Sequence, residues 1–525
     1  MLRRDFLVTA GRQAAALALG ALFARRVGGD STVIERYSAW DDPFKLGVAS
    51  GMPGPDSVVL WTRLAPRPRE PLGGLPDAPV PVRWELAEDE HFSKGFRTGE
   101  TLARPEHAHS VHVEVEGLAS DRRWFYRFHA GAATSPLGRT RTAPAADAPA
   151  GRLRLALASC QHYEQGEFAV HREIAERDLD LVLFVGDYIY ESSNPRLLVR
   201  AHEALRPLDL AAYRQRHVTY KLDANLRACH AAHPWLLTWD DHEVENDYAG
   251  LAPADVKASA EDFASTRAAA YKAYFEHLPV SPKLLGDARS PRIHAQHRWG
   301  RLAELWTLDG RQYKNPQACN APGRAGGRVL GACAELDDAG RTMLGAEQEA
   351  WIAAQLAASE RPWRLIGQGT QIARGGIETP LGRSIFSDGW DGYPHARQRL
   401  LAAIAASAAR GGNVVCLGGD VHRHVVAALR AEADDERTPI VAAELVTTSV
   451  TSRGLSENTA ALLRRQNADL LHARGDERGY VAIELTPQRL QADLRATAFP
   501  VVADAKLHSQ AKYVVEAGQP KPQRD

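Results

Sequence analysis

Leu179-Asp-Leu-Val-Leu-Phe-Val185 runs directly into Gly186-Asp187-Tyr188-Ile189-Tyr190-Glu191. The first half is an apolar run of strand length. Gly186 then lets the backbone turn closely, and Asp187 projects from the strand end. Just upstream, Leu153-Arg-Leu-Ala-Leu-Ala-Ser159 is a second buried-strand run, and His171 to Arg177 between them reads as helix. Strand, helix, strand implies an α/β layered domain. In such sheets, side chains converge beyond the carboxyl ends of the strands.

Working outward, three further segments place polar ligands just after apolar runs. Ala158-Ser-Cys160-Gln follows the first run. Trp235-Leu-Leu-Thr-Trp239 leads into Asp240-Asp241-His242-Glu243-Val-Glu245-Asn246-Asp247, with five acidic side chains in eight residues. Adjacent carboxylates repel unless cations neutralise them. Val414-Val-Cys-Leu417 leads into Gly418-Gly419-Asp420-Val421-His422-Arg423-His424. Each segment has a bland reading when taken alone. Cys160 could be an inert buried thiol, Asp187 a helix cap, and the acidic run a solvated loop.

Other strand-like runs are Arg301–Leu308 and Trp363–Ile366, and helical stretches cover Glu261–His277, Glu347–Ala358 and Arg397–Ala409. The α/β domain is expected over residues 152–500. Residues 39–145 differ in character. Val58–Arg63, Val80–Leu86, Ser110–Val115 and Trp124–His129 are β-branched and aromatic, with Pro and Gly between them, which suggests a small all-β sandwich domain. Thr142–Ala150 reads as a linker, and residues 501–525 as a C-terminal tail, mobile after Gln510.

Lys plus Arg is 64 against 65 for Asp plus Glu, so nothing electrostatic points to nucleic acid or an anionic membrane surface as partner. Five Cys in 525 residues exclude a disulfide scaffold. Cys319 and Cys333 lie in one Gly/Ala/Pro-rich insertion, where a disulfide is plausible after export, while Cys229 and Cys416 read as core thiols. Residues 1–30 begin Met1-Leu-Arg3-Arg4-Asp5-Phe6-Leu7 and continue into an uncharged apolar stretch, Ala14 to Ala24. That reads as a twin-arginine (Tat) export signal, making the Tat machinery a partner and the periplasm or exterior the destination. No later run is long enough to span a bilayer in the mature chain.

Together the four segments resemble the calcineurin-like metallophosphoesterases. More closely they resemble the alkaline phosphatase D (PhoD) family, in which Cys stands where the first Asp-x-His would be. G-D-Y-I-Y-E, W-D-D-H-E-x-x-N and G-D-V-H then follow in the order found here. Leu308–Tyr313, Trp390–Pro394 and Glu444–Ser452 also look like the family, so the likeness spans nearly the whole chain. It implies a layered β-sandwich metallophosphoesterase domain with helices on its faces, behind the small β domain. The resemblance also implies Fe³⁺ held by Cys160, Asp187, Tyr190 and His422, with Asp187 bridging to one or two Ca²⁺. Asp240, Asp241, Asn246 and Asp420 are the calcium candidates; Asp241 and Asp420 stand where such sites usually have Asn and His. Hard oxygen donors there favour calcium over zinc. The implied reaction is hydrolysis of phosphate mono- and diesters by a metal-activated hydroxide. His242 would stabilise the phosphoryl oxygen or protonate the leaving alkoxide. Arg311 would contact phosphate, or else pair structurally with a carboxylate. His424 is expected to support the ligands rather than join them, and the chain to be a monomer. A phosphodiesterase or phospholipase D-like enzyme specialised for a polymer or lipid head group would use the same motifs. A non-catalytic surface module would leave the four ligand blocks without a purpose. A calcium-binding structural protein would leave Cys160, Tyr190 and His422 unexplained.

Overall fold

The computed structural model describes residues 41–193, 198–203, 205–255, 257–286, 289–433 and 435–525. The export signal read from residues 1–30 lies outside them. The first eight strands are β1 (Val48–Gly51), β2 (Val58–Arg63), β3 (Val80–Ala87), β4 (Arg97–Ala103), β5 (Ser110–Val115), β6 (Arg123–Ala130), β7 (Ala133–Thr134) and β8 (Gly138–Arg141). The next group is β9 (Leu153–Ala158), β10 (Leu181–Val185), β11 (Pro234–Thr238), β12 (Ala295–Trp299), β13 (Ala303–Thr307), β14 (Val329–Leu330), β15 (Trp363–Gly367), β16 (Ile377–Thr379) and β17 (Gly382–Phe386). The last are β18 (Asn413–Gly418), β19 (His424–Arg430), β20 (Ile440–Val446), β21 (Leu470–Arg474), β22 (Glu477–Leu485), β23 (Arg489–Ala498), β24 (His508–Glu516) and β25 (Gln519–Arg524).

Two large sheets face each other. One has the order β25-β24-β23-β22-β9-β10-β11-β1-β2-β5, and the other β12-β13-β15-β18-β20-β19-β21. Strand alternation explains why they stack. Leu153, Leu155 and Leu157 of β9, with Leu181, Leu183 and Val185 of β10, enter one core with Leu305, Trp363, Leu365, Val415 and Leu417 of the second sheet. The intervening residues, such as Ala156, Val182, Phe184 and Trp235, face the other way. They meet helices Ala169–Glu176, Leu210–Lys221, Ala224–Ala232 and Ala260–His277 through Ile174, Tyr220, Leu226 and Tyr271. The second sheet is covered in the same manner by Ile352 and Leu356 of helix Ala346–Ala358 and by Leu400 and Ile404 of helix Pro394–Ala408. The architecture is therefore a two-sheet sandwich with helices on both outer faces.

The core strands β9, β10 and β11 pair in parallel. So do β13, β15, β18 and β20. Parallel neighbours present all their carboxyl ends at one edge. The exits of the two sheets are tied together there, since the Val450 amide donates to the Ser159 carbonyl at 2.9 Å.

The N-terminal β region is a sandwich that shares a sheet with its neighbour. Strands β3, β4, β6, β7 and β8 form their own sheet, but β1, β2 and β5 extend the large one. Strand β1 pairs in parallel with β11 through Ser50–Pro234 and Gly51–Trp235. Val58, Leu60, Val82, Trp124 and Tyr126 fill the core between the two layers. The 142–150 stretch is anchored rather than loose: Ala143 is buried and its amide donates to the Gly54 carbonyl.

The tail corrects an expectation. Residues 508–524 are not a mobile end but the edge hairpin β24–β25 of the large sheet. Ala511, Tyr513 and Val515 alternate inward into the inter-sheet core. Deleting residues 507–525 should strip about 3–6 kcal/mol of apolar burial from Tyr513 and Val515. Thermal unfolding should then show a clearly lower midpoint; an unchanged midpoint would mean that the hairpin adds nothing to the fold.

Candidate metal centre

Each donor segment sits where its sequence pattern put it, directly after a parallel strand. Cys160 follows β9, Asp187 and Tyr190 follow β10, Asp240 to His242 follow β11, and Asp420 and His422 follow β18. Cys160, Asp187, Asp420 and His422 all have positive φ, at 60°, 58°, 64° and 50°. Residues with a Cβ seldom adopt this left-handed conformation, and each instance costs on the order of 1 kcal/mol or more. The neighbouring strands enforce it. The Cys160 amide donates to the Gly186 carbonyl at 3.1 Å, and the Gln161 amide to the Asp187 carbonyl at 3.1 Å. Gly186, at φ +109°, passes so near the next strand that a Cβ would lie 2.5 Å from that of Asp240.

Two donor groups result. Ligand atoms of Cys160, Asp187 and His422 lie within 4.8 Å of one another, as do those of Asp187, Asp241 and His242. Asp187 belongs to both. Tyr190 joins the first group: its hydroxyl donates to Asp187 Oδ2 at 2.8 Å and lies 3.1 Å from His422 Nε2. His422 Nδ1 donates to the Arg453 carbonyl at 2.7 Å, which leaves Nε2 as the free electron pair. Ser452 Oγ donates to the Tyr190 oxygen at 2.8 Å.

Burial pushes the Cys160 thiol and the Asp187 carboxyl well above their usual ranges, and neighbouring carboxylates add to both shifts. The Tyr190 phenol moves upward for the same reasons. A donor set of thiol, phenol, carboxylate and imidazole therefore carries more latent negative charge than the protein itself neutralises, which fits a highly charged cation. The second group offers hard carboxylate oxygens. Asp240 Oδ2 is buried with no hydrogen-bond partner among the described residues, so it too has a lone pair to offer.

The remaining candidates are placed as follows. Arg311, almost fully buried, pairs through Nε with Asp240 Oδ1 and through its terminal nitrogens with Asp388 at 2.7 and 2.9 Å; Asp241 Oδ1 lies 3.4 Å away. Its guanidinium is thus spent on carboxylates. Asp420 accepts the Thr370 hydroxyl at 2.6 Å. Asn246 is exposed at the rim, and its backbone N–H donates to Glu191 Oε1 at 3.1 Å. His424 is buried, with Nδ1 accepting the Thr448 amide.

Several residues that support the site have roles that their sequence context does not disclose. Glu191 Oε2 accepts from His242 Nδ1 at 2.7 Å. Burial opposes charge on His242, but Glu191, Asp241 and Asp187 override it and hold the imidazole well above its usual range. Glu243 accepts three amides, from Tyr188 at 2.7 Å, Asp240 at 2.9 Å and Asp187 at 3.2 Å, and so clamps two ligand loops together. Lys314 donates to Asp388 Oδ1 at 2.6 Å and is fully buried with it. As the sequence suggests, Cys319 and Cys333 form a disulfide and Cys229 and Cys416 are buried free thiols, as is Cys160.

Glu243→Ala would leave three buried amides unpaired, at about 1–3 kcal/mol each. Denaturant unfolding should show a loss of about 3 kcal/mol or more, and metal analysis a drop in bound metal. A variant with native stability and metal content would remove Glu243 from this role.

The comparisons with known proteins converge on one family. The family model described as PhoD-like phosphatase matches residues 155–494, and that of the PhoD-like phosphatase N-terminal domain matches residues 31–144. The chain is 39% identical to alkaline phosphatase D of Bacillus subtilis (strain 168), over 98% of this chain and 88% of the relative. A solved structure titled "Structure of PhoD" superposes with a TM-score of 0.87 at 39% identity, covering 92% of each chain. The donor loops at the sheet edge, the order of the motifs and the shared fold agree, and the chain belongs to the PhoD-like phosphatase family.

Proposed function

We propose that this protein is an exported, metal-dependent phosphoesterase that hydrolyses phosphate mono- and diesters. Membership of the PhoD-like phosphatase family makes it a phosphoric ester hydrolase. The observation that carries the metal-dependent reading is the convergence of a thiol, a phenol, an imidazole and a carboxylate on one point, with that carboxylate shared by a second acidic group. Export rests on the twin-arginine pattern at Arg3-Arg4. No helix among the described residues is long and apolar enough to cross a membrane.

In this reading Cys160, Asp187, Tyr190 and His422 hold Fe³⁺. Asp187, Asp240, Asp241, Asp420 and Asn246 serve one or two Ca²⁺. When bound, the metals supply Lewis-acid polarisation of the phosphoryl oxygens and a water of lowered pKa. The chain does the rest. Tyr190, His242 and His422 line one cavity of about 360 Å³ with Ser192, Ser452 and Arg453. With Nδ1 bound to Glu191, His242 keeps Nε2 for the cavity it lines, where it can hold a proton against a phosphoryl oxygen or pass it to the leaving alkoxide. Arg311 and Lys314 offset the charge of Asp240, Asp241 and Asp388 and so keep the carboxylates in place. Arg311 thus acts as a positioning residue.

Three outcomes are expected. Concentrated protein should be coloured by thiolate and phenolate on iron, and Cys160→Ala and Tyr190→Phe should lose that colour; colourless, fully active protein would refute the iron assignment. Nitrophenyl phosphate mono- and diesters should be hydrolysed until a chelator is added, with calcium and not magnesium restoring turnover. His242→Ala should lower kcat by about 10²–10⁴ with metal content intact, and Asp187→Asn, which deprives both metal groups, should cost more. A mild Asp187→Asn phenotype would break the idea of a shared carboxylate.

A further inference from the structure

His162 stands two residues beyond Cys160 and belongs to neither donor group. Its Nδ1 accepts the Glu164 amide at 3.3 Å, which places the ring proton on Nε2. That Nε2 has no protein partner among the described residues. The ring lines the same cavity as Tyr190, His242 and His422. The backbone is fixed as well: the His162 amide donates to Ser452 Oγ at 3.2 Å, and its carbonyl accepts the Thr451 hydroxyl at 2.9 Å.

The ring is also held by stacking. It lies 4.4 Å from the Tyr190 ring and 5.6 Å from that of His202, which in turn stacks at 5.7 Å on Tyr163. His242 lies 4.1 Å from Tyr190. The Tyr190 ring is therefore flanked by two imidazoles that open on one cavity. His242 is paired with a carboxylate, whereas His162 is paired only with a backbone amide. A rigid N–H on the wall of a cavity where negative charge develops is the arrangement that stabilises oxyanions, because little reorganisation is needed when the charge appears.

We propose that His162 is a phosphate-contacting residue, donating from Nε2–H to a non-bridging oxygen of the bound ester and of the phosphate product. The proposal rests on the phosphoesterase reading of the same cavity. A non-bridging oxygen suits this ring better than the leaving group does, because His162, unlike His242, has no carboxylate beside it to support proton transfer.

The test uses His162→Phe, which keeps an aromatic ring in the stack but removes the donor, and His162→Gln, which restores an N–H. Inorganic phosphate binding is measured by calorimetry on metal-loaded full-length protein, and kcat/KM across nitrophenyl and alkyl phosphates. In His162→Phe, phosphate should bind at least tenfold more weakly and kcat/KM should fall by a similar factor. That loss should not depend on the leaving group, and metal content and melting temperature should match the wild type. His162→Gln should recover most of both. Phosphate affinity within twofold of wild type in His162→Phe would overturn the proposal. So would a loss that grows with leaving-group pKa, or a parallel loss of iron in both variants. Phosphate binding is read without turnover, so failure here is separable from failure of the phosphoesterase reading, which would show as wild-type protein that turns over neither ester.

Discussion

Four carboxylates, those of Asp187, Asp240, Asp241 and Asp388, are buried where two sheets end, with the half-buried Asp420 beside them, and that concentration of charge governs everything around it. Buried carboxylates stay ionised only beside cations or dense hydrogen bonding. Among the described residues, the permanently charged Arg311 and Lys314 both pair with Asp388, with Arg311 also reaching Asp240 and Asp241, while the His242 imidazole faces Asp187 and Asp241. Asp388 is accordingly held far below the usual carboxylate range; its burial works the other way, but the two cations outweigh it. Asp187 and Asp240 are pushed up by burial instead. One half of the cluster is balanced internally, and the other half is left for metal ions.

What the sequence disclosed follows from where the signal is local. An apolar run that breaks at Gly186 and gives way to polar donors is a strand end by composition alone, and each of the four runs proved to be one. The donors on those runs came together because parallel strands share an edge. The supporting residues were hidden because their partners are set by tertiary proximity. Glu243 sits in the same acidic run as Asp241 but spends its carboxylate on amides. Asp388 and Thr370 lie in loops without pattern. Helix Leu210–Lys221 is not legible for a different reason. It buries Arg216, His217, Thr219 and Lys221 along with its apolar residues, so it lacks the 3.6-residue stripe by which a surface helix is recognised.

The same distinction explains the two ends of the described chain. Val48-Ala-Ser-Gly51 is short, small and weakly apolar, yet its parallel pairing with β11 turns two expected domains into neighbours on one sheet. The Pro- and Gly-bearing end reads as mobile, but Ala511, Tyr513 and Val515 carry a period-2 pattern just before it. That pattern acquires meaning only when a partner edge, β23, is present to receive it.

The strained backbone at the donor loops completes the physical account. Cys160, Asp187, Asp420 and His422 are all held in left-handed conformations that each favour unfolding or rearrangement. Isolated loops would relax. Here the loops follow largely buried strands whose exits are tied to one another by hydrogen bonds, such as Val450 to Ser159 or Thr447 to Gly418, both at 2.9 Å. The strain is thus sustained by the sheets. The direction of the ligand atoms is fixed by folding, so a bound cation need not organise them and its binding energy is not spent on ordering the loops. The sandwich, with its helices on both faces, therefore does more than carry the motifs. Its parallel strands supply the stiffness that lets four separated segments hold unfavourable backbone angles at one place.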